Sequence, residues 1–109
     1  MTTAIRGLKN QSERPAAFIN RENRSNSWTC KKNEYNADVY AWIPQGKERG
    51  IQVTTSRNGG TTCNIWDSDW KIHGKWDDGD TFYLINGTGT MEDYELTIDS
   101  SGEIFLSKR

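Results

Sequence analysis

The sequence predicts an all-β fold, a single-domain antiparallel β-sandwich or small Greek-key barrel of about eight to ten short strands over residues 1–109. No window repeats apolar residues at i, i+3, i+4 and i+7 over three turns, so helices are not predicted. Short runs of β-branched and aromatic residues recur instead at roughly ten-residue spacing, each bounded by Gly, Asn, Asp or Ser. A chain of this length forms one domain.

Ten runs fit the strand pattern. Alternation of Tyr94, Leu96 and Ile98 with polar residues indicates a strand with one face in water. The strand that contains Tyr40 and Trp42 has apolar residues on both of its faces. It is therefore predicted to be central, with Trp42 in the core. The predicted strands are Ala4–Leu8, Ala16–Asn20, Ser27–Cys30, Asp38–Ile43, Ile51–Thr55, Thr61–Trp66, Trp70–His73, Thr81–Ile85, Tyr94–Asp99 and Glu103–Ser107.

The connections carry turn chemistry. Asn58-Gly59-Gly60 supplies residues that tolerate positive φ between two strands. Pro44 ends its strand because proline lacks the N–H that a continuing ladder needs, so residues 45–50 are predicted to be an exposed turn. Residues 20–26 form a polar loop, and its arginines suggest contact with anionic lipid headgroups or glycans.

The net charge of −1 divides unevenly along the chain. Residues 1–57 contain ten Lys or Arg and five Asp or Glu, whereas residues 58–109 contain four and ten. We interpret this asymmetry as attraction between the two halves of one fold. Neither half has the dense basic stripe of a phosphate-binding surface, so no nucleic-acid partner is expected.

The two cysteines, Cys30 and Cys63, are too few for a zinc site, and buried free thiols are favoured over a disulfide. No apolar run resembles a signal-peptide core or reaches the ~20 residues of a membrane span. We therefore expect a cytoplasmic or leaderless-released protein without a transmembrane segment. Exposed sheet edges make a homodimer a further expectation.

One stretch, residues 62–81, holds three of the five tryptophans, five aspartates and the only histidine. A carbohydrate site needs an exposed aromatic platform for the polarised C–H groups of a sugar, flanked by acceptors for its hydroxyl hydrogens. This stretch has both ingredients. The sequence therefore predicts glycan binding by Trp66, Asp67, Asp69, Trp70, Trp76, Asp77, Asp78 and Asp80. The alternative is that most of these tryptophans belong to the core.

The segment Asp77-Asp78-Gly79-Asp80-Thr81 resembles the start of the calcium loop of βγ-crystallin domains, although Phe82 stands where that family has Ser. The resemblance covers five residues and implies calcium ligation by Asp77, Asp78 and Asp80 in a structural or adhesion domain. Carboxylate oxygens are the ligands that calcium prefers. No other cofactor is expected.

Catalysis is not expected, because His73 is the only histidine and no nucleophile elbow, phosphate loop or dinucleotide fingerprint is present. The function we predict from sequence is that of a small, non-catalytic lectin. Two alternatives stay open, the calcium-binding βγ-crystallin-like domain and a membrane-active or inhibitory β protein that inserts exposed tryptophans into lipid or a partner's groove.

Overall fold

A computed structural model describes residues 3–89 and 91–109. The strands are β1 (Thr3–Asn10), β2 (Ala16–Asn20), β3 (Ser27–Cys30), β4 (Tyr35–Trp42), β5 (Ile51–Thr55), β6 (Thr61–Ser68), β7 (Lys71–Trp76), β8 (Thr81–Ile85), β9 (Glu92–Ile98) and β10 (Ile104–Lys108). Single 3₁₀ turns at Lys47–Arg49 and Arg57–Gly59 flank β5. Each of the ten strands coincides with a predicted run, within a few residues at its ends.

The strands form two packed sheets, with orders β10-β9-β1-β4 and β3-β2-β5-β6-β7-β8. The all-β sandwich is thus confirmed, and the sheets do not close into a barrel. One pairing departs from the predicted antiparallel pattern, because β1 pairs in parallel with β9. A parallel neighbour needs a long crossover, and here the whole six-stranded sheet lies between the two strands in sequence.

The core lies between the sheets and follows the alternation of the strands. Tyr94, Leu96 and Ile98 of β9 are buried, as their period-two pattern predicts. Ile65 and Ile72 also point inward, from β6 and β7. Burying one such side chain contributes roughly 1.5–3 kcal/mol relative to leaving it exposed, so this shared interior supplies most of the stability.

The prediction that β4 is central and Trp42 is in the core is wrong. β4 is the edge strand of the four-stranded sheet. Its inner face carries Val39 and Ala41, both buried, while Trp42 is 49% exposed on the outer face, with Tyr40 beside it. Local sequence could not distinguish these cases, since aromatic residues on a strand's second face fit either a covered sheet or an exposed one.

Three of the four ion pairs among the described residues join the basic and acidic halves of the chain: Arg6–Asp93, Arg57–Asp78 and Arg57–Glu103. This supports the structural interpretation of the charge asymmetry. Within the described part of the chain, no helix is long and apolar enough to cross a membrane.

Both cysteines are buried free thiols. Cys30 lies in β3 and Cys63 in β6, with β2 and β5 between them. Three strand spacings amount to about 14 Å, whereas a disulfide requires Cα atoms within about 7 Å. Burial raises the pKa of Cys30 to about 11 and that of Cys63 to about 12, which keeps both thiols protonated at neutral pH.

Candidate functional site

Three of the residues predicted to bind glycans lie inside the protein. Trp66 is 7% exposed, Trp76 is 4% exposed and Asp67 is fully buried. An aromatic platform needs a free ring face, and neither tryptophan offers one. The Arg57 guanidinium covers the Trp76 ring at 4.5 Å from its centroid, and the Lys47 ammonium lies 5.8 Å from that of Trp66.

Trp66 belongs to a row of three rings across β6, β7 and β8. Its register partner His73 stacks on it with a centroid distance of 5.2 Å, and Tyr83 meets His73 edge-on at 5.1 Å. The Nδ1 atom of His73 has no hydrogen-bond partner among the described residues. The three rings pack against one another across adjacent strands.

Asp67 is a buried organising residue. Its Oδ2 accepts a hydrogen bond of 2.6 Å from Thr3 Oγ1, and its backbone N–H donates to the Pro44 carbonyl at 2.8 Å. The Ile43 N–H in turn donates to the Thr3 carbonyl. Burial raises the pKa of Asp67, although the Thr3 hydroxyl and Gln45 side chain oppose that shift. Asp67 therefore fixes the segment that follows Trp42.

The aspartates of the βγ-crystallin-like segment are exposed in the turn before β8. Asp78 is already engaged, since Arg57 Nη1 lies 2.7 Å from Oδ1 and Asn58 Nδ2 lies 3.2 Å from Oδ2. The hydrogen bond from Arg57 lowers the pKa of Asp78. Among the described residues, no three His, Cys, Asp or Glu side chains are grouped as metal ligands would be.

Asp69 and Trp70 form the two-residue turn of the β6–β7 hairpin. The sequence places Trp70 at the start of a strand, but both residues have positive φ, 56° and 61°. Positive φ at both central positions is the type I′ geometry that suits a two-residue hairpin. Trp70 is 51% exposed, so of the three tryptophans predicted to bind glycan it is the one that presents a face to solvent.

A groove lies elsewhere, between the β2–β3 and β4–β5 loops. This groove has a volume of about 640 Å³, within the range of roughly 300–1,000 Å³ typical of ligand sites. Trp42 stands in its wall, and the buried residues Ile43 and Pro44 also line it. The other lining residues are Asn20, Glu22, Asn23, Asn26, Gln45, Gly46, Glu48 and Arg49.

The asparagines of the β2–β3 loop shape its backbone as well as lining the groove. Asn20 Oδ1 accepts from the Glu22 N–H at 3.1 Å, and Asn23 Oδ1 accepts from the Ser25 N–H at 3.3 Å. Such contacts two residues ahead are Asx turns, which explains the choice of asparagine here. The Asn26 carbonyl accepts from the Asn20 N–H, which closes the loop.

Arg21 ties the two walls of the groove together. Its Nε donates to the Gly50 carbonyl at 3.0 Å, and its Nη2 donates to the Lys47 carbonyl and to Asn64 Oδ1 at 2.8 and 3.0 Å. Asn64 Nδ2 also donates to the Lys47 carbonyl. A Cβ on Gly50 would lie 2.2 Å from Asn64 Oδ1, so the close approach requires glycine.

The groove combines a half-exposed indole with amide and carboxylate groups from two loops. The Glu22, Glu48 and Arg49 side chains form no ion pair or side-chain hydrogen bond with the residues that the structure describes. These groups can accept and donate hydrogen bonds to a polar ligand while the ring stacks on an apolar face. The sequence identifies both loops as polar, but not that they meet beside Trp42.

No protein-family model matches the sequence, and neither a curated protein nor a solved structure matches the chain.

Proposed function

We propose that the protein is a non-catalytic carbohydrate-binding protein and that glycans bind in the groove beside Trp42. The observation that carries this proposal is the half-exposed Trp42 ring in the wall of a groove of about 640 Å³ lined by amides and carboxylates. The proposed site replaces Trp66 and Trp76 by Trp42, because those two rings are buried.

The chemistry matches the needs of a pyranose. One face of a sugar ring presents C–H groups that favour an aromatic surface, and its rim presents hydroxyls. The amide of Asn26 offers both donors and an acceptor, and the carboxylates of Glu22 and Glu48 accept strongly from hydroxyl groups. Asp67 fixes the segment that follows Trp42, and this segment holds the ring in place. Such preorganisation lowers the entropic cost of binding.

The test is a glycan-array screen of the labelled protein, repeated with calcium and with EDTA. We expect selective binding in both conditions, weakened more than about tenfold by Trp42→Ala, since tryptophans in binding sites often contribute over about 1.4 kcal/mol. The matched control is Trp70→Ala, an equally exposed tryptophan outside the groove. Thermal melting of both variants monitors the fold.

Each alternative outcome has a meaning. A blank array in both conditions contradicts carbohydrate binding. Loss of binding in Trp70→Ala alone moves the site to the hairpin turn at Asp69–Trp70. Because Glu22 and Glu48 are two carboxylates in one groove, the bound glycans are also assayed for released reducing sugar. We expect none, and hydrolysis abolished by Glu22→Gln or Glu48→Gln contradicts the non-catalytic role.

A membrane-active or inhibitory β protein is the second candidate. Exposed aromatic side chains on the outer face of the four-stranded sheet favour it: Tyr35, Tyr40, Trp42 and Phe105. Surfaces rich in aromatic residues suit protein partners. Binding to neutral-lipid vesicles that survives excess free sugar and is lost in Phe105→Ser would support this candidate over the first.

A further inference from the structure

We propose that the groove discriminates against acidic glycans and prefers neutral sugars or sugars that carry an ammonium group. This inference rests on the proposed function and adds the charge class of the ligand. It reverses the expectation from sequence, because the two loops together contain four cations and two carboxylates: Arg21, Arg24, Lys47 and Arg49 against Glu22 and Glu48.

In the folded protein, two of these cations contact groups outside the lining of the groove. The guanidinium of Arg21 is engaged by the Gly50 and Lys47 carbonyls and by Asn64. The ammonium of Lys47 lies over the ring of Trp66. Arg24 is exposed in the β2–β3 loop but does not line the groove. The charged lining is therefore Glu22, Glu48 and Arg49, a net charge of −1.

Both carboxylates are exposed, and no ion pair among the described residues neutralises either of them. Arg49, which is also exposed, offsets one of them, so the field of one net negative charge acts on whatever occupies the groove. Two unit charges about 4 Å apart in water interact by about 1 kcal/mol, which corresponds to roughly a fivefold change in affinity. A carboxylated or sulfated sugar would face this repulsion, whereas a glucosamine-type ammonium would be attracted. Salt screens both effects.

The test compares matched pairs on the glycan array, each neutral glycan beside its sialylated or sulfated form, and deacetylated beside N-acetylated chito-oligosaccharides. We expect the acidic member of each pair to bind about fivefold more weakly, a difference that shrinks at ~0.5 M salt because the Debye length there is only a few ångströms. Glu22→Gln and Glu48→Gln should each reduce that preference. The matched control, Glu13→Gln, removes an exposed carboxylate outside the groove and should leave it unchanged.

Equal or tighter binding of the acidic members overturns this inference while leaving carbohydrate binding intact. The inference is also overturned if the preference is insensitive to Glu22→Gln and Glu48→Gln but is lost in Glu13→Gln. An array without any binding contradicts the proposed function itself, and the inference fails with it. Tighter binding of acidic members that is abolished by Arg49→Gln would assign the dominant charge in the groove to Arg49 instead.

Discussion

Burial separates the five tryptophans into three environments. Trp66 and Trp76 are enclosed, Trp28 packs edge-on against Phe18 at 5.5 Å, and Trp42 and Trp70 are about half exposed. The two exposed rings differ in their surroundings, since Trp70 sits on a hairpin tip and Trp42 borders a groove. A ligand site needs both a ring face and convergent polar groups, and of the two rings only Trp42 lines the groove.

Asp67 should make stability depend on pH in a particular direction. Burial raises its pKa in the folded protein, so the folded state holds its proton more tightly than the unfolded chain does. This contribution to stability is fully present below the ordinary pKa of about 3.9 and is lost as pH rises through the raised value. Asparagine does not titrate. The free energy of unfolding of Asp67→Asn should therefore increase relative to that of wild type as pH rises.

Urea unfolding of wild type and Asp67→Asn across about pH 3 to 8 measures this difference. The matched control is Asp38→Asn, which removes an exposed carboxylate instead of a buried one. A difference between wild type and Asp67→Asn that grows in favour of wild type as pH rises would contradict the expected sign. It would mean that the Thr3 hydroxyl outweighs burial.

At the scale of single elements, the β6–β7 hairpin stores backbone strain at its turn. Trp70 adopts φ of 61°, where a bulky side chain costs of order 1–3 kcal/mol and glycine costs little. Trp70→Gly should therefore raise the free energy of unfolding by about 1 kcal/mol, measured by urea denaturation. Lys71→Gly, one residue further in β7, should lower it by roughly 0.5–1 kcal/mol.

A loss of stability in Trp70→Gly would contradict this prediction. It would show that contacts of the indole in the folded state outweigh the strain of its backbone. The carbonyl of Trp70 accepts a hydrogen bond of 2.8 Å from the Thr88 N–H, and this bond is available to glycine as well. The comparison therefore isolates the side chain and the backbone conformation.

The two loops that form the groove depend on Arg21. Removal of its side chain leaves the Lys47 and Gly50 carbonyls without their charged donor. Losing hydrogen bonds to a charged group costs about 1.5–3 kcal/mol, so Arg21→Ala should reduce the free energy of unfolding by about that amount. Amide hydrogen exchange should accelerate in residues 20–26 and 43–50, and glycan affinity should fall.

Arg24→Ala is the matched control for this experiment. Arg24 lies in the same loop and is exposed, so its removal should leave stability within about 0.5 kcal/mol of wild type. Faster exchange in both variants to the same extent would mean that loop charge, not the bridging geometry of Arg21, orders the groove.

For the molecule as a whole, ion pairs join the acidic turn before β8 to other parts of the fold. Asp78 contacts Arg57, and Arg57 also holds Glu103 at 2.6 Å, so this acidic turn is joined to the rest of the protein by ion pairs. Calcium ligation by Asp77, Asp78 and Asp80 would compete with Arg57 and Asn58 for the Asp78 carboxylate. The βγ-crystallin-like alternative therefore competes with an existing contact.

We expect calcium to leave the melting temperature unchanged. A cation that binds only the folded state stabilises it by about 2.7 kcal/mol at 100 times its Kd, which would appear as a shift of several degrees. The measurement is a thermal melt with millimolar calcium, with magnesium and with EDTA. A rise specific to calcium, lost in Asp80→Asn, would establish the calcium site that the resemblance implies.

The homodimer stays a prediction. Among the residues that the structure describes, each sheet ends in strands paired on one side only, β3 and β8 in one sheet and β10 and β4 in the other. Edges of this kind are the usual route to association between copies. Sedimentation equilibrium over a wide concentration range tests for the homodimer. A monomer mass at every concentration would contradict the prediction.

Apart from Trp70, which lies in a turn instead of the predicted strand, the sequence alone determined where the strands and turns fall. Both depend on neighbours a few positions away, through side-chain alternation and the φ preferences of Gly, Asn and Pro. Asn58-Gly59-Gly60 and Pro44 end their strands as expected. The inward positions of Ile65 and Ile72 follow from the same local pattern.

Tertiary structure decided which strand lies at an edge and which loops meet. Trp42 is half exposed on the outer face of the edge strand β4, with Tyr40 beside it, whereas the ring of Trp66 is covered by His73 and lies near the Lys47 ammonium. The contact with Lys47 joins residues far apart in sequence. The composition of residues 62–81 therefore identified a concentration of rings and carboxylates, while the groove arose from segments around residues 20 and 45 that only folding brings together.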